Sequence, residues 1–272
     1  MTKHFRYFLC LVACSISLLF ASANSKEQLF YDAVRLEATG DLENAIINYE
    51  KASLHQSSAN LHANLANLYY KTNDYGRSIL NFRKAILLDK KNRDFRYNLE
   101  FVCKTAQVES SSLQKIGYFT RNSSNFWKAI LAIFFWSGML VLSFVFFRGF
   151  HRKTFFLMFT GWITGNIALS IFLHFSIKSE DLTEREIIAI ESFSNGDQNS
   201  TNIINLRRFA ASSSSANSSV KAGEILVLEK SKKGEISGHT SQNNQEWLLV
   251  STPDRRKKGW VLKEEVGWII AN

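Results

Sequence analysis

Two runs without a single Lys, Arg, Asp or Glu, Ala129 to Phe147 and Thr154 to Ile177, constrain this chain more than any other feature. Their 19 and 24 residues would reach about 28 and 36 Å as α-helices, against about 30 Å for the hydrocarbon core of a bilayer. Both are apolar on every face, and too little other sequence is available to cover them inside a soluble fold. They predict transmembrane helices at 129–147 and 154–177, joined by the short basic loop "RGFHRK" at 148–153.

Charge follows the same segments. A net charge of +9 would suit a nucleic-acid binder, yet residues 26–112 carry 12 basic and 11 acidic side chains, and residues 179–272 carry 12 and 13. The surplus is Lys3, Arg6, Lys115, Arg121, Lys128, Arg148, Arg152, Lys153 and Lys178, each beside an apolar segment. That distribution fits membrane topology and anionic headgroups and argues against a nucleic-acid partner. The stretch "YFLCLVACSISLLFASA" has the layout of a secretory signal, with a basic start at Lys3 and Arg6 and a small-residue end at Ala21-Ser22-Ala23. Cleavage after Ala23, removing a signal peptide at 1–23, is the favoured reading; retention as an anchor and lipidation at Cys14 stay open. The apolar run continues past Cys14, which speaks against the lipid. Once Cys10 and Cys14 leave with the signal, Cys103 has no partner for an intramolecular disulfide and reads as a small buried group.

Self-similarity comes next. "ATGDLENAIINYEKASL" (38–54) superposes on "KTNDYGRSILNFRKAIL" (71–87) at a spacing of 33 residues, pairing Asp41 with Asp74, Ile46 with Ile79, Tyr49 with Phe82 and Ala52 with Ala85. Each unit reads as two amphipathic helices, with Gly40-Asp41 or Asn73-Asp74 at the turn where positive φ is needed. These residues resemble the tetratricopeptide repeat, with units at 26–58 and 59–92. In the second unit the likeness rests on Leu65, Ala66, Tyr69, Ser78, Phe82 and Ala85, while His62 replaces the usual Trp and Lys90 the helix-ending Pro. Two repeats leave an apolar face open, so "RDFRYNLEFVCKTAQ" (93–107) is expected to cap the stack with Tyr97, Leu99, Phe101 and Val102. The repeat domain thus covers 24–107, and a Ser- and Asn-rich linker runs over 108–125.

The resemblance implies a concave groove lined by first helices. Here its positions fall on Asn60, Ala63, Asn64, Asn67, Tyr70 and Lys71, with Tyr97, Asn98 and Lys104 added by the capping helix. Side-chain amides donate and accept together, so they can hold an extended peptide by its backbone without dictating its sequence. Asn67 and Asn98 match the two asparagines of carboxylate-clamp grooves, but Ala63 stands where that type has lysine, which argues against capture of a C-terminal carboxylate. The alternative is that these asparagines stitch neighbouring helices together.

Past Ile177 a charged exit, "KSEDLTERE", leads to six β-like runs, "IIAIESF", "NIINLRRF", "EILVLEK", "EWLLVST", "GWVLKEE" and "VGWII". "AASSSSANSS" and "GEISGHTSQNNQ" read as exposed loops. The order of these runs and Gly259-Trp260-Val261 resemble bacterial SH3-like domains over 179–272, with a generic small β-barrel as the alternative. Trp247, Trp260 and Trp268 form either its core or a peptide-binding face, and "RRKK" (255–258) reads as a solvated hairpin tip. No HExxH, CxxC, phosphate-binding loop or nucleophile elbow is present, and His55, His62, His151, His174 and His239 are scattered over different segments. A non-enzymatic protein without cofactor or metal is expected.

The expected fold is therefore a multidomain membrane protein: an all-α tetratricopeptide repeat domain, a two-helix transmembrane hairpin and a small all-β SH3-like barrel. This order, with "FRYNLEF" after the last repeat, resembles the BatE family of bacterial aerotolerance operons. The resemblance implies a scaffold in the inner membrane that works with Bat proteins carrying von Willebrand A domains and with a MoxR-type ATPase. A different class of reading is an envelope sensor binding cell-wall peptide through the SH3-like part.

Topology rests on alternation from the signal. Residues 24–128 cross to the periplasm, "RGFHRK" returns to the cytoplasm and the β-domain crosses again. Flanking charge does not favour this order, since Lys115, Arg121, Lys128, Lys178 and Arg185 lie outside against three inside. Long domains, however, translocate largely regardless of charge. A reporter fused after Arg152 is expected to be active only in cytoplasmic form; periplasmic activity would invert the assignment.

Overall fold

Helix α1 (residues 28–39) stops where Gly40 takes a φ of +83°, and Asp41 then opens α2 (Leu42–His55) by accepting from the Asn44 backbone N–H at 3.3 Å. The second unit repeats the device. Asn73, at φ +63°, ends α3 (Ala59–Lys71), and Asp74 opens α4 (Tyr75–Leu88), accepting from Arg77 N–H at 2.9 Å. Left-handed backbone followed by an Asp N-cap turns the chain sharply at low cost. The small residues at the helix crossing do what their size allows: Ser78 is fully buried and its hydroxyl donates to the Ala66 carbonyl at 2.8 Å. Ala33, Ala45, Tyr49 and Leu68 are likewise fully buried between α1, α2 and α3. The computed structural model from which these contacts come describes residues 28–109, 123–149, 151–190, 202–231, 233–241 and 243–270. The expected signal, its Ala23 cleavage point and most of the linker 108–125 lie outside these residues.

Helix α5 (Arg93–Thr105) caps the stack differently from expectation. Phe95, Leu99, Val102 and Cys103 form its buried stripe, at helical spacing. Tyr97 and Phe101, expected in that contact, are 72% and 49% exposed because they fall off the stripe. Cys103 is fully buried, and burial pushes its thiol up to about 12, so it stays a protonated packing group.

The chain divides into two compact units, one made of residues up to 110 and from 187 onward, the other of 111–186. In the second unit α6 (Ser123–Phe147) and α7 (Arg152–Glu184) form a hairpin. Trp127 meets Phe172, Phe135 meets Trp162 and Phe146 meets Phe155, so partners run in opposite directions along the two helices. Two glycines set the separation. A Cβ on Gly138 would fall 2.1 Å from the Trp162 ring, and one on Gly165 would fall 2.7 Å from the Phe134 ring. Both helices are long and apolar enough to cross a membrane. They exceed the uncharged runs: α7 continues through "KSEDLTE", where Arg185 closes its end by pairing with Asp181 at 2.8 Å.

Strands β1 (Glu186–Ala189), β2 (Ile203–Arg207), β3 (Ala216–Lys221), β4 (Ile225–Leu228), β5 (Gly238–Thr240), β6 (Glu246–Ser251), β7 (Lys258–Leu262) and β8 (Val266–Trp268) pair antiparallel. Their order is β3-β2-β7-β6-β4-β1-β8, with β5 paired to β6. Val220 from one end of the sheet and Val266 from the other lie in one core with Ile187, Leu206, Leu226 and Val250. Gly259 lets β7 approach β2, since a Cβ there would sit 2.8 Å from the Arg207 carbonyl oxygen. The loops expected at "AASSSSANSS" and "GEISGHTSQNNQ" instead contribute β3 and β5. In β3 only Val220 is buried and β5 is exposed throughout, so neither shows apolar alternation; ladder hydrogen bonds hold them.

Helix α4 joins the repeats to this sheet. Nine of its fourteen residues are buried, which means both of its faces are covered. Ser78, Phe82 and Ala85 belong to the repeat core, whereas Gly76, Ile79 and Leu80 meet the β-domain. A Cβ on Gly76 would lie 3.1 Å from the Ala189 carbonyl oxygen and 3.2 Å from Ile190 Cα. From the other side, a Cβ on Gly223 would reach within 2.4 Å of Ile79, and one on Gly267 within 2.3 Å of Leu80. Lys221 Nζ adds a contact at 3.4 Å to the Gln107 side-chain oxygen. Gly76→Leu is expected to cost about 1–3 kcal/mol by overpacking. Hydrogen exchange should then quicken in α4, β1 and β8 together; a change confined to α4 would refute the interface.

Candidate partner-binding groove

Spacings of 33 residues from α1 to α3 and 34 from α3 to α5 relate equivalent helix positions in three rows: Tyr31, Asn64 and Asn98; Val34, Asn67 and Phe101; Glu37, Tyr70 and Lys104. Asn67 and Lys104 are exposed, Asn98 is half-buried, and Asn60 is exposed at the start of α3. No hydrogen bond among the described residues occupies the side chains of Asn67 or Asn98. Asn64 differs, donating to the Tyr49 hydroxyl at 3.4 Å and so stitching α3 to α2. Lys71 is also engaged, pairing with Glu37 at 2.9 Å across α1 and α3. Ala63, where a clamp lysine would stand, is buried.

Aromatic rings sit beside the amides. Tyr70 packs edge-on against Phe101 at 5.6 Å and lies 6.0 Å from Tyr75, with Tyr97 beyond on α5. Tyr31 and Val34, which were not among the expected groove residues, are 66% and 42% exposed. Subtracting the repeat length from Asn64 and Asn67 finds both in the sequence. The rows therefore offer unspent amides next to flat apolar surface, a combination that can grip a peptide backbone and bury the side chains beside it.

The β-domain tryptophans do not share one open face. Trp247 is 1% exposed in the core, with the Arg207 guanidinium 5.9 Å from its ring. Trp268 packs against the same core, and half-buried Trp260 faces His239 at 6.5 Å. At the basic turn, Lys257 and Lys258 pair with Glu224 and Glu229 at 3.8 and 3.5 Å, and Arg256 pairs with Asp254. Among the described residues no three His, Cys, Asp or Glu side chains gather where a metal ion could be held.

His62, in place of the repeat's usual Trp, is buried with both ring nitrogens bonded. Asn81 donates its amide N–H to the Arg77 carbonyl at 2.9 Å, which leaves its oxygen to accept from His62 Nδ1, also at 2.9 Å. Nε2 then accepts from the Ser57 hydroxyl at 2.8 Å, so the ring is held neutral. Burial lowers the His62 pKa below 6.5, the Asn81 hydrogen bond opposes that shift and the Lys84 charge adds to it. Protonation is thus harder folded than unfolded. Stability is full above the unfolded value and is lost as pH falls through the folded one. Thermal melts of the wild type should drop in midpoint between about pH 8 and pH 5, and His62→Gln, which keeps both hydrogen bonds without titrating, should flatten that drop. An equal drop in both proteins would show that His62 does not titrate there.

No curated protein matches the chain. Residues 59–92 match the tetratricopeptide repeat family, and the match covers α3, which carries the middle of each row, and α4. The chain contains a tetratricopeptide repeat, a module that generally binds proteins.

Proposed function

We propose that the chain is a non-enzymatic adaptor of the bacterial inner membrane, holding an extended segment of a partner protein in the concave face of its repeats. The observation that carries this reading is the contrast between the two sides of the repeats. On one side, α4 is covered by the β-sheet; on the other, Asn67, Tyr97 and Phe101 are exposed and Asn98 is half-buried. Exposed aromatics grouped beside unspent amides mark an interaction surface.

Membrane anchoring is supported by two helices that expose most of their apolar side chains, including Phe144, Phe156 and Phe175 at 62%, 67% and 59%. Water would not tolerate that much exposed hydrocarbon on two adjacent helices. Contact between α4 and the β-domain needs both in one compartment, and two crossings return the chain to the side it left. Alternation from a secretory signal makes that side the periplasm. The module order, resembling the BatE family, points to Bat proteins with von Willebrand A domains as partners and to a MoxR-type ATPase working with them.

Replacing Asn67 and Asn98 together by Ala should weaken partner capture from detergent extracts roughly thirtyfold, at about 1 kcal/mol per lost hydrogen bond. Far-UV circular dichroism should not change. Undiminished capture by the double variant would refute the groove.

A further inference from the structure

The hairpin has a cleft of about 690 Å³ on one flank, opening between Lys128 and Leu173 and floored by Phe135 and Trp162. We propose that it binds one acyl chain of an anionic glycerophospholipid, with Lys128 at the phosphate. This inference rests on the membrane reading given above.

Position comes first. Counting about 30 Å of hydrocarbon from Lys153 takes about 20 residues of α7 and ends at Leu173. Leu173 and Lys128 both line the open end, so the cleft begins at the boundary between hydrocarbon and headgroups. It runs from Lys128 to Phe135 along α6 and from Leu173 to Trp162 along α7, which is about 10 to 16 Å at helical rise. One leaflet is about 15 Å deep. The far end is blocked where Phe135 packs on Trp162 at 5.3 Å.

Chemistry follows the same gradient. Leu131, Ala132 and Ile167 give apolar walls, and small Ala132 leaves room between larger neighbours. Near the mouth, Ser170 makes no hydrogen bond among the described residues. In contrast, Thr160 and Thr164 on the same helix donate to the backbone carbonyls of Leu157 and Gly161. The Ser170 hydroxyl is therefore available to an ester carbonyl a few ångströms below the phosphate. Deeper down, Asn166 has already spent an N–H on the Trp162 carbonyl at 2.9 Å, which lowers the cost of its polarity beside a hydrocarbon tail. A partner's transmembrane helix would need a seam through the whole core of about 30 Å. This cleft stops midway and carries a cation at its open end, so a lipid fits it better.

The test uses the full chain in membranes first washed with alkaline carbonate, then solubilised in detergent and reconstituted in nanodiscs containing dioleoylphosphatidylglycerol and dioleoylphosphatidylcholine in equal amounts. Native mass spectrometry should find one retained lipid, with roughly fivefold preference for the anionic one, as expected for a single surface cation. Lys128→Ala should remove the preference, and Ala132→Trp, which fills the cleft, should remove retention itself. If wild type and both variants retain the two lipids alike, the site is refuted while the membrane reading stands. A Ser170→Cys variant that cross-links to another protein in membranes would refute it in favour of a helix partner. Release of the chain by carbonate would overturn both readings.

Discussion

Everything else in the larger unit depends on a close approach at α4. Gly76 lets the helix backbone come against Ala189 and Ile190, and Gly223 and Gly267 let the sheet come against Ile79 and Leu80. Ile79 is fully buried and Leu80 is 7% exposed, and each apolar side chain so buried contributes about 1.5–3 kcal/mol. A two-repeat stack would ordinarily leave an apolar surface that further repeats must cover. Here α5 closes one end and the β-domain covers the outer face of α4, so the short array completes itself from within its own chain. Because the covering domain lies after the hairpin in sequence, the contact also brings the segments before and after the hairpin into one unit.

Occupation of α4 leaves the first helices as the open side of the repeats. Their exposed rows are unequal in character. The Glu37, Tyr70 and Lys104 row carries charge at both ends, and Glu37 is already tied to Lys71. The Val34, Asn67 and Phe101 row combines an unspent amide with apolar neighbours. A ligand on these rows would meet little net charge and would be held by backbone hydrogen bonds and apolar contact. Such recognition is weakly dependent on salt, unlike capture of a carboxylate by a lysine.

Local rules made much of this legible in the sequence. Positive-φ residues followed by Asp at Gly40-Asp41 and Asn73-Asp74 gave the turns, and small Ala66 and Ser78 gave the helix crossing. The offset of 33 residues from α1 to α3 identifies equivalent helix positions even where the residue type changes, as from Asn64 to Tyr31. What stayed hidden depends on long-range contact. An amphipathic pattern shows one buried face, so nothing in "YGRSILNFRKAILL" says that Leu80 is also covered; that needs the sheet. The polar strand β3 was hidden for a related reason, since an edge strand held by ladder hydrogen bonds needs no apolar alternation. Tyr97 and Phe101 were misplaced because four apolar residues in "YNLEFV" fit more than one helical stripe, and only packing decides which is buried.

The hairpin follows a different rule from the larger unit. In the bilayer proposed for it there is no hydrophobic drive between two apolar helices, so they would associate by close packing, and small residues matter for the space they leave. Gly138 and Gly165 serve in that way, accepting the Trp162 and Phe134 rings against the opposite helix backbone. Each helix gives one ring and one glycine, so neither can slide along the other without driving a ring into a backbone. Lateral register is thereby fixed without a single interhelical salt bridge among the described residues. Ala132 lines the cleft beside this packing, and Trp162, the ring held against Gly138, lines it as well. The cleft thus shares the Trp162 ring with the packing that holds the hairpin together, and closing it by moving that ring would loosen the hairpin.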